Sequence, residues 1–254
     1  MSQISIITPT GDRFETLRLL GRFLLAQTYT GLIQWIVVDD GETNATARAL
    51  AEIGESALAS RGIFLVHYRR PFRREDQGPK SLGNNLLAGL GLVAGRKVLI
   101  CEDDDCYLPE HVQDLVGRLE KADVAGTKWQ RYLHLPSMSY RVFLNKGSAL
   151  CSTGLRSQFI PVLAEAARAC IQSGSKGIDA HFWAAMERIP GAVLDIYDPV
   201  THTIVGMKGL PGRGGIGVGH RPKKFQPDPG GLMLGEWTKQ YESIYREMRK
   251  GMGL

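Results

Sequence analysis

The stretch Val98-Leu99-Ile100-Cys101-Glu102-Asp103-Asp104-Asp105 joins a short apolar run to four consecutive acids. Short apolar runs bounded by polar residues suit strands buried on both faces of a parallel sheet. Three others precede it, Ile4 to Ile7, Trp35 to Val38 and Ile63 to His67. Helical patterns lie between them. Leu17, Leu20 and Leu24 fall at i, i+3 and i+7, Asn44 to Ala59 is rich in Ala, Leu and Glu with Thr43 or Asn44 as cap, and a third helix is expected over Ser81 to Val93. This alternation is the pattern of βαβ units, so the expected fold class is α/β, with a mostly parallel central sheet flanked by helices.

Past residue 122 the rhythm changes. Val124 to Gln130 and Tyr140 to Phe143 read as strands, and Gln158 to Ile171 as a helix with Phe159, Val162, Leu163, Ala166 and Cys170 on one face. Val193 to Tyr197 and His202 to Val205 read as short strands, and Leu234 to Lys250 as a terminal helix. Between the last two elements, Gly206 to Gly219 contains seven glycines. No internal repeat or low-complexity linker divides the chain, so a single domain over residues 1–254 is expected, with halves 1–122 and 123–254 and a flexible loop at 206–222.

Composition narrows the function classes. A 254-residue chain with 43% hydrophobic residues matches a soluble globular core and excludes disorder and collagen-like repeats. Charge-free stretches such as Ala26 to Asp39 contain Gln, Thr and Tyr, and fall short of the roughly 18 apolar residues of a membrane span. The N-terminal residues lack a basic segment followed by a long apolar run, so a cytoplasmic location without a transmembrane segment is expected. Cys101, Cys106, Cys151 and Cys170 show no CxxC spacing and read as reduced thiols. The net charge of +5 is concentrated at one end: residues 1–204 carry 22 basic and 22 acidic residues, residues 205–254 carry 9 and 4. A basic tail attracts phosphate-bearing partners, or serves as a solvated surface.

Open α/β sheets deliver functional residues at the C-terminal ends of their strands. Here three strands end in Thr8-Pro9-Thr10-Gly11-Asp12-Arg13, Asp39-Asp40-Gly41 and Glu102-Asp103-Asp104-Asp105, all along one edge. Four adjacent acids repel one another unless a cation or hydrogen-bond donors offset them. They suit Mg2+ or Mn2+, which take oxygen ligands, and equally a solvated turn that starts the helix at Pro109. An EF-hand is excluded because Leu108 stands where its glycine is required. The formal GxGxxG of Gly212, Gly214 and Gly217 is rejected as a dinucleotide site, since Pro211 and Pro222 bracket it and no helix begins there.

Ser5-Ile6-Ile7-Thr8-Pro9-Thr10, Ile36-Val37-Val38-Asp39-Asp40-Gly41 and Leu99 to Pro109 resemble, in order and spacing, the family 2 glycosyltransferases. The resemblance implies a single GT-A (Rossmann-like) domain. Its first half would bind the nucleotide sugar and its second the acceptor. Asp40 then corresponds to the residue that recognises uracil in a UDP-sugar, with Thr8, Pro9, Thr10, Arg13 and Asp39 around the same pocket. Glu102 and Asp104 align with the carboxylates of the DxD motif and are the expected Mn2+ or Mg2+ ligands, with Asp103 and Asp105 beside them. The stretch Lys80-Ser81-Leu82-Gly83-Asn84-Asn85 departs from relatives, which carry an Arg-Asn pair at a slightly different distance from the acidic motif; Lys80 and Asn84 are the donor-contact candidates there. Gly174-Ser175-Lys176-Gly177-Ile178-Asp179 resembles the element that carries the catalytic base, which makes Asp179 the candidate; Asp at a helix start is also a common N-cap. A late histidine for the metal or diphosphate is available at His202 or His220, with His220 preferred. Lys208, Arg213 and Arg221 are expected near the diphosphate.

The implied function is metal-dependent, inverting transfer of a sugar from a nucleotide sugar to a hydroxyl. A glycan is the first expectation for the acceptor. A nucleic acid such as a hydroxymethylated DNA base is the second, because Arg69, Arg70, Arg73 and Arg74 with Phe72, and the run Arg221-Pro222-Lys223-Lys224, can contact phosphates. The alternative is a non-catalytic nucleotide-sugar or nucleic-acid-binding protein of the same fold.

Overall fold

The computed structural model describes residues 3–74, 79–175, 177–199, 201–213 and 218–254. In chain order the elements are β1 (Ile4–Thr10), α1 (Phe14–Leu25), β2 (Ile33–Asp39), α2 (Ala45–Ile53), α3 (Glu55–Ser60), β3 (Ile63–Arg69), α4 (Pro79–Leu90), β4 (Lys97–Ile100), β5 (Asp105–Tyr107), α5 (His111–Arg118) and β6 (Val124–Thr127). They continue with β7 (Trp129–His134), β8 (Ser139–Leu144), β9 (Thr153–Arg156), α6 (Ile160–Ser173), α7 (Ile178–Met186), β10 (Leu194–Tyr197), β11 (Ile204–Lys208), β12 (Gln226–Pro227), α8 (Leu232–Thr238) and α9 (Glu242–Gly251).

A seven-stranded sheet has the order β10-β6-β9-β4-β1-β2-β3. It is parallel except at β9, which runs antiparallel to β4 and β6. Every residue of β1 and β2 is buried, because helices cover both faces. Ile6 and Trp35 pack with Leu17, Leu20 and Phe23 of α1, while Ile7 and Ile36 pack with Leu86 of α4 and Leu163 of α6. Each of these apolar clusters draws residues from before and after position 122. A second, five-stranded sheet runs β12-β8-β7-β11-β5. The acidic stretch crosses between the two: β4 belongs to the first sheet, β5 to the second, and residues 101–104 connect them.

Several elements differ in extent from the sequence expectation, each for a local reason. The helix expected over Asn44 to Ala59 breaks at Gly54, whose φ of 84° leaves the helical region. The strand expected over Val124 to Gln130 is two strands, one in each sheet. The terminal helix breaks at Lys239, with φ 50°. The strand expected to end at Val205 continues to Lys208, which places that lysine on the sheet rather than in a loop. Among the described residues no helix is long and apolar enough to cross a membrane, and all four cysteines are free and buried.

Candidate active site

A cavity of about 920 Å³ opens at the C-terminal ends of β1 and β4 and runs beneath β7, β8 and β11. Its lining brings together Pro9, Thr10, Arg13, Ser81 and Asn85 on one side, Glu102, Asp103 and Asp104 on what we call its floor, Asp179, Lys208 and His220 on its wall, and Tyr132, Arg141, Phe143, Arg221, Lys223 and Lys224 from β7, β8 and the segment after β11.

The floor is held by charge. Asp103 receives Arg13 Nη1 at 2.7 Å and the Thr10 hydroxyl at 2.5 Å, both from the end of β1. Asp104 faces three nitrogens: Arg13 Nη1 at 3.3 Å, Lys208 Nζ at 3.3 Å and His220 Nε2 at 3.4 Å. Lys208 Nζ also donates to Asp105 Oδ1 at 2.8 Å. Burial by itself would lower the Lys208 ammonium, but Asp104, Asp105 and Glu102 outweigh it and hold the group well above the ordinary lysine value. Asp104 is correspondingly held below the ordinary carboxylate range: Lys208 and Arg13 override the effect of its burial. Glu102 gains less from Lys208, and burial followed by repulsion from Asp105 pushes it up to about 8.

The floor offers carboxylate oxygens to a divalent ion but already holds two cations of its own. Against Asp103, Asp104 and Asp105 the floor sets two obligate cations, Arg13 and Lys208, which leaves negative charge in excess even with Glu102 protonated. Asp105 Oδ2 is buried without a hydrogen-bond partner. One ligand atom each from Glu102, Asp105 and Cys151 lie within 4.8 Å of one another. Burial pushes the Cys151 thiol well up, so carboxylate oxygens are the donors a hard cation would use there. The free oxygens belong to Glu102 and Asp105, whereas both oxygens of Asp104 already face cations.

The second strand end is closed by the chain's basic segment. Arg213 Nη2 bonds Asp40 Oδ1, and Ser81 Oγ donates to Asp40 Oδ2 at 2.6 Å. Arg13 Nε donates to the Arg213 carbonyl at 2.6 Å, which ties this segment to the end of β1. Asp12, at φ 55°, accepts from the Glu42 and Thr43 amides at 2.9 Å each and so locks the β1 and β2 ends together. Asp179 lies in the first turn of α7, where Gly177 rather than Asp179 is the N-cap residue. Burial raises its carboxyl above the ordinary range, opposed by the Ala180 amide.

The sequence-derived candidates divide cleanly. Pro9, Thr10, Arg13, Glu102, Asp103, Asp104, Asp179, Arg213 and His220 share the cavity, and Asp40 is bonded into it. Thr8 is buried below it, accepting from Trp35 Nε1 at 2.9 Å, and Asp39 serves its own turn through the Gly41 amide. Lys80 and Asn84 do not line it; Ser81 and Asn85, one helical turn apart on α4, do. Arg70 donates to Asn85 from the other side at 2.8 Å. His202 lies outside the cavity lining, while Lys176 and residues 214–217, with Gly214 and Gly217 of the formal fingerprint, lie outside the described residues. The basic run at Arg69 and Arg70 lines a separate cleft with Phe72, apart from Lys223 and Lys224.

Strand ends that gather Asp40, an acidic turn and a late basic segment over one cavity put the site where open α/β folds bind their ligands. The model of glycosyl transferase family 2 matches residues 5–142, more than half of the chain, and the chain belongs to that family. No curated protein matches it. Among solved structures, TarS of S. aureus, residues 1–349 in complex with UDP, superposes with a TM-score of 0.56 at 16% identity, over 81% of this chain and 60% of that one. The mannosyltransferase PcManGT from Pyrobaculum calidifontis, in complex with GDP-Man and Mn2+, gives 0.55 at 16% identity, over 83% and 58%. Another TarS structure gives 0.55 at 14% identity, over 81% of this chain and 36% of its own. The chain thus spans less than two thirds of the length of these neighbours, and the likeness is one of fold.

Proposed function

We propose that the protein transfers a sugar from a nucleotide sugar, a UDP-sugar first, to a hydroxyl acceptor with inversion. The observation that carries this is the placement of Asp179 on the wall of the cavity whose floor is the Arg13, Asp103 and Asp104 cluster. The nucleotide would lie between Pro9, Thr10 and Asn85, with its base toward Asp40 and its diphosphate toward Arg13, Lys208 and Arg213. Membership of the family and the UDP and GDP-Man complexes of the neighbours support that assignment.

In the proposed step the acceptor oxygen bonds to the anomeric carbon as the bond from that carbon to the diphosphate oxygen breaks. Asp179 takes the acceptor proton, and the nucleoside diphosphate leaves with the electron pair. Arg13 and Arg213 stabilise the charge that grows on it. A divalent ion held by the free oxygens of Glu102 and Asp105 would add Lewis-acid stabilisation of the same charge. Raising the Asp179 carboxyl by burial makes it a stronger base than an exposed aspartate.

A panel of UDP-, GDP- and other nucleotide sugars, followed by release of nucleoside diphosphate with Mn2+, Mg2+ or EDTA, tests the reading. Turnover with one donor, lost in Asp179→Asn, is expected. Donor binding without turnover on any acceptor would favour the non-catalytic alternative. A nucleic-acid acceptor is the second reading, favoured by the basic side of the cavity lining. There the Tyr132 and Phe143 rings meet at 5.0 Å, Arg141 lies 4.1 Å from the Phe143 centroid, and Arg141, Arg221, Lys223 and Lys224 have no acidic partner within 4.0 Å among the described residues. Cations without acidic partners suit phosphates; binding of an oligonucleotide that weakens steeply with salt is expected on this reading, and salt-insensitive or absent binding sinks it.

A further inference from the structure

We propose that Lys208 is a resident cation of the acidic turn: its ammonium occupies part of the charge a divalent ion would fill, so that the diphosphate end of the cavity is organised without metal and a divalent ion binds there only weakly.

The position is built. Lys208 is the last residue of β11, whose antiparallel pairing sets Gly206 opposite Asp105 and Val205 opposite Cys106. The strand therefore delivers the residue two beyond Gly206, on the same face, over the turn that follows β4. Lys208 is 6% exposed, and its Nζ reaches Asp104 at 3.3 Å and Asp105 at 2.8 Å. Its aliphatic stem runs through a slot made by two glycines. A Cβ at Gly219 would fall 2.9 Å from Lys208 Cγ, and one at Gly206 would fall 3.3 Å from Lys208 Cε and 2.2 Å from the Tyr132 ring. The Tyr132 ring centroid lies 5.4 Å from the ammonium, a favourable cation–π contact. A buried lysine with two carboxylates, an aromatic face and a fitted slot is fixed in place rather than free to withdraw.

The consequence follows from charge. A divalent ion approaching the free oxygens of Glu102 and Asp105 meets an ammonium already bonded to Asp105, and its attraction is reduced by that repulsion. Conversely, the four acids do not require a metal ion to remain folded together, because Lys208 and Arg13 already offset part of their repulsion. The inference deepens the nucleotide-sugar reading for this cavity, and its metal-binding part does not depend on it.

The test is Mn2+ binding followed by electron paramagnetic resonance, with thermal melting, in wild type, Lys208→Met and Lys208→Arg. Lys208→Met should bind Mn2+ at least about tenfold tighter than wild type, and Lys208→Arg should stay near wild type. Wild-type melting should barely move with Mn2+, whereas Lys208→Met, destabilised in EDTA, should regain stability as Mn2+ is added. A Lys208→Met protein that folds and binds Mn2+ equally or more weakly overturns the proposal, as does a wild type whose melting rises with Mn2+ as much as the variant's. If Lys208→Met melts too low for titration and Mn2+ fails to rescue it, the proposal is also overturned. Calorimetry of UDP adds the donor side: binding to wild type within about threefold in EDTA and in Mn2+ is expected, against metal-dependent binding in Lys208→Met. If UDP binds neither protein under any condition, the nucleotide-sugar reading fails while the Mn2+ result still decides the role of Lys208.

Discussion

Arg213 and Asp40 are 173 residues apart in sequence, yet the guanidinium Nη2 bonds one oxygen of a carboxylate only 2% exposed. Ser81 donates to the other oxygen at 2.6 Å, and the Arg213 carbonyl accepts from Arg13. The basic segment therefore closes the Asp40 end of the cavity. Arg213→Ala removes a charge-assisted bond and leaves Asp40 to Ser81 and Arg70; a donor KM raised about tenfold, with kcat reduced less, is expected from steady-state kinetics. Unchanged KM would place Arg213 outside donor binding.

Asp179→Asn keeps the side chain's shape and removes its basicity. Transfer should fall by about a hundredfold or more while UDP affinity stays within about threefold. Because burial raises the Asp179 carboxyl, the wild-type rate should fall, as pH is lowered, at a pH above the ordinary aspartate range, since the base is lost on protonation. A pH–rate profile flat down to the ordinary aspartate range would contradict this.

His111 gives a stability prediction away from the chemistry. It opens α5, is 1% exposed, shares a hydrogen bond of 3.0 Å with Thr203 through Nδ1, and has no partner at Nε2. Burial pushes it down to about 3, against roughly 6.5 in the unfolded chain. Between those values the unfolded state binds the extra proton, so stability is lost as pH falls below about 6.5, by about 2 kcal/mol at pH 5 from this residue alone. Urea unfolding at pH 8 and pH 5 should show the loss, and His111→Gln should shrink it. An equal loss in the variant would assign it elsewhere.

Two glycines should respond oppositely to alanine. Gly206→Ala drives a Cβ to 2.2 Å from the Tyr132 ring and should cost about 1–3 kcal/mol by overpacking. Gly117 sits inside α5 with nothing within 4 Å of the position a methyl would take, and Gly117→Ala should gain about 0.5–1 kcal/mol from helix propensity. Denaturation midpoints of the two variants on opposite sides of wild type are expected; a neutral Gly206→Ala would mean the Lys208 slot is loose.

What the sequence conveyed and what it hid have physical causes. The parallel sheet was legible because β1, β2 and β4 are buried on both faces and therefore uninterrupted in their apolar character. The strand ends were legible too, since charged residues directly after buried strands must lie at an edge. Asn85 was missed for Asn84 because adjacent asparagines differ only in helical phase; the spacing of four from Ser81 was the available signal. The aromatic and basic part of the lining was hidden because Tyr132, Arg141 and Phe143 alternate with other residues on short strands, and their meeting depends on sheet register. The glycines read as a mobile loop serve, at Gly206 and Gly219, to make room for a lysine. Such a steric role has no signature in sequence.

The most direct measurement of the central claim is calorimetric titration of UDP, GDP and their sugars into wild type and Arg13→Ala. Arg13 bonds Asp103 and Asp104 at the floor and holds the Arg213 carbonyl, so it stands where the diphosphate is expected. Saturable binding of one nucleotide class to wild type, weakened at least about tenfold in a folded Arg13→Ala, is the expected result. No binding of any nucleotide to wild type, or equal affinity in the variant, would contradict the assignment of this cavity to a nucleotide sugar.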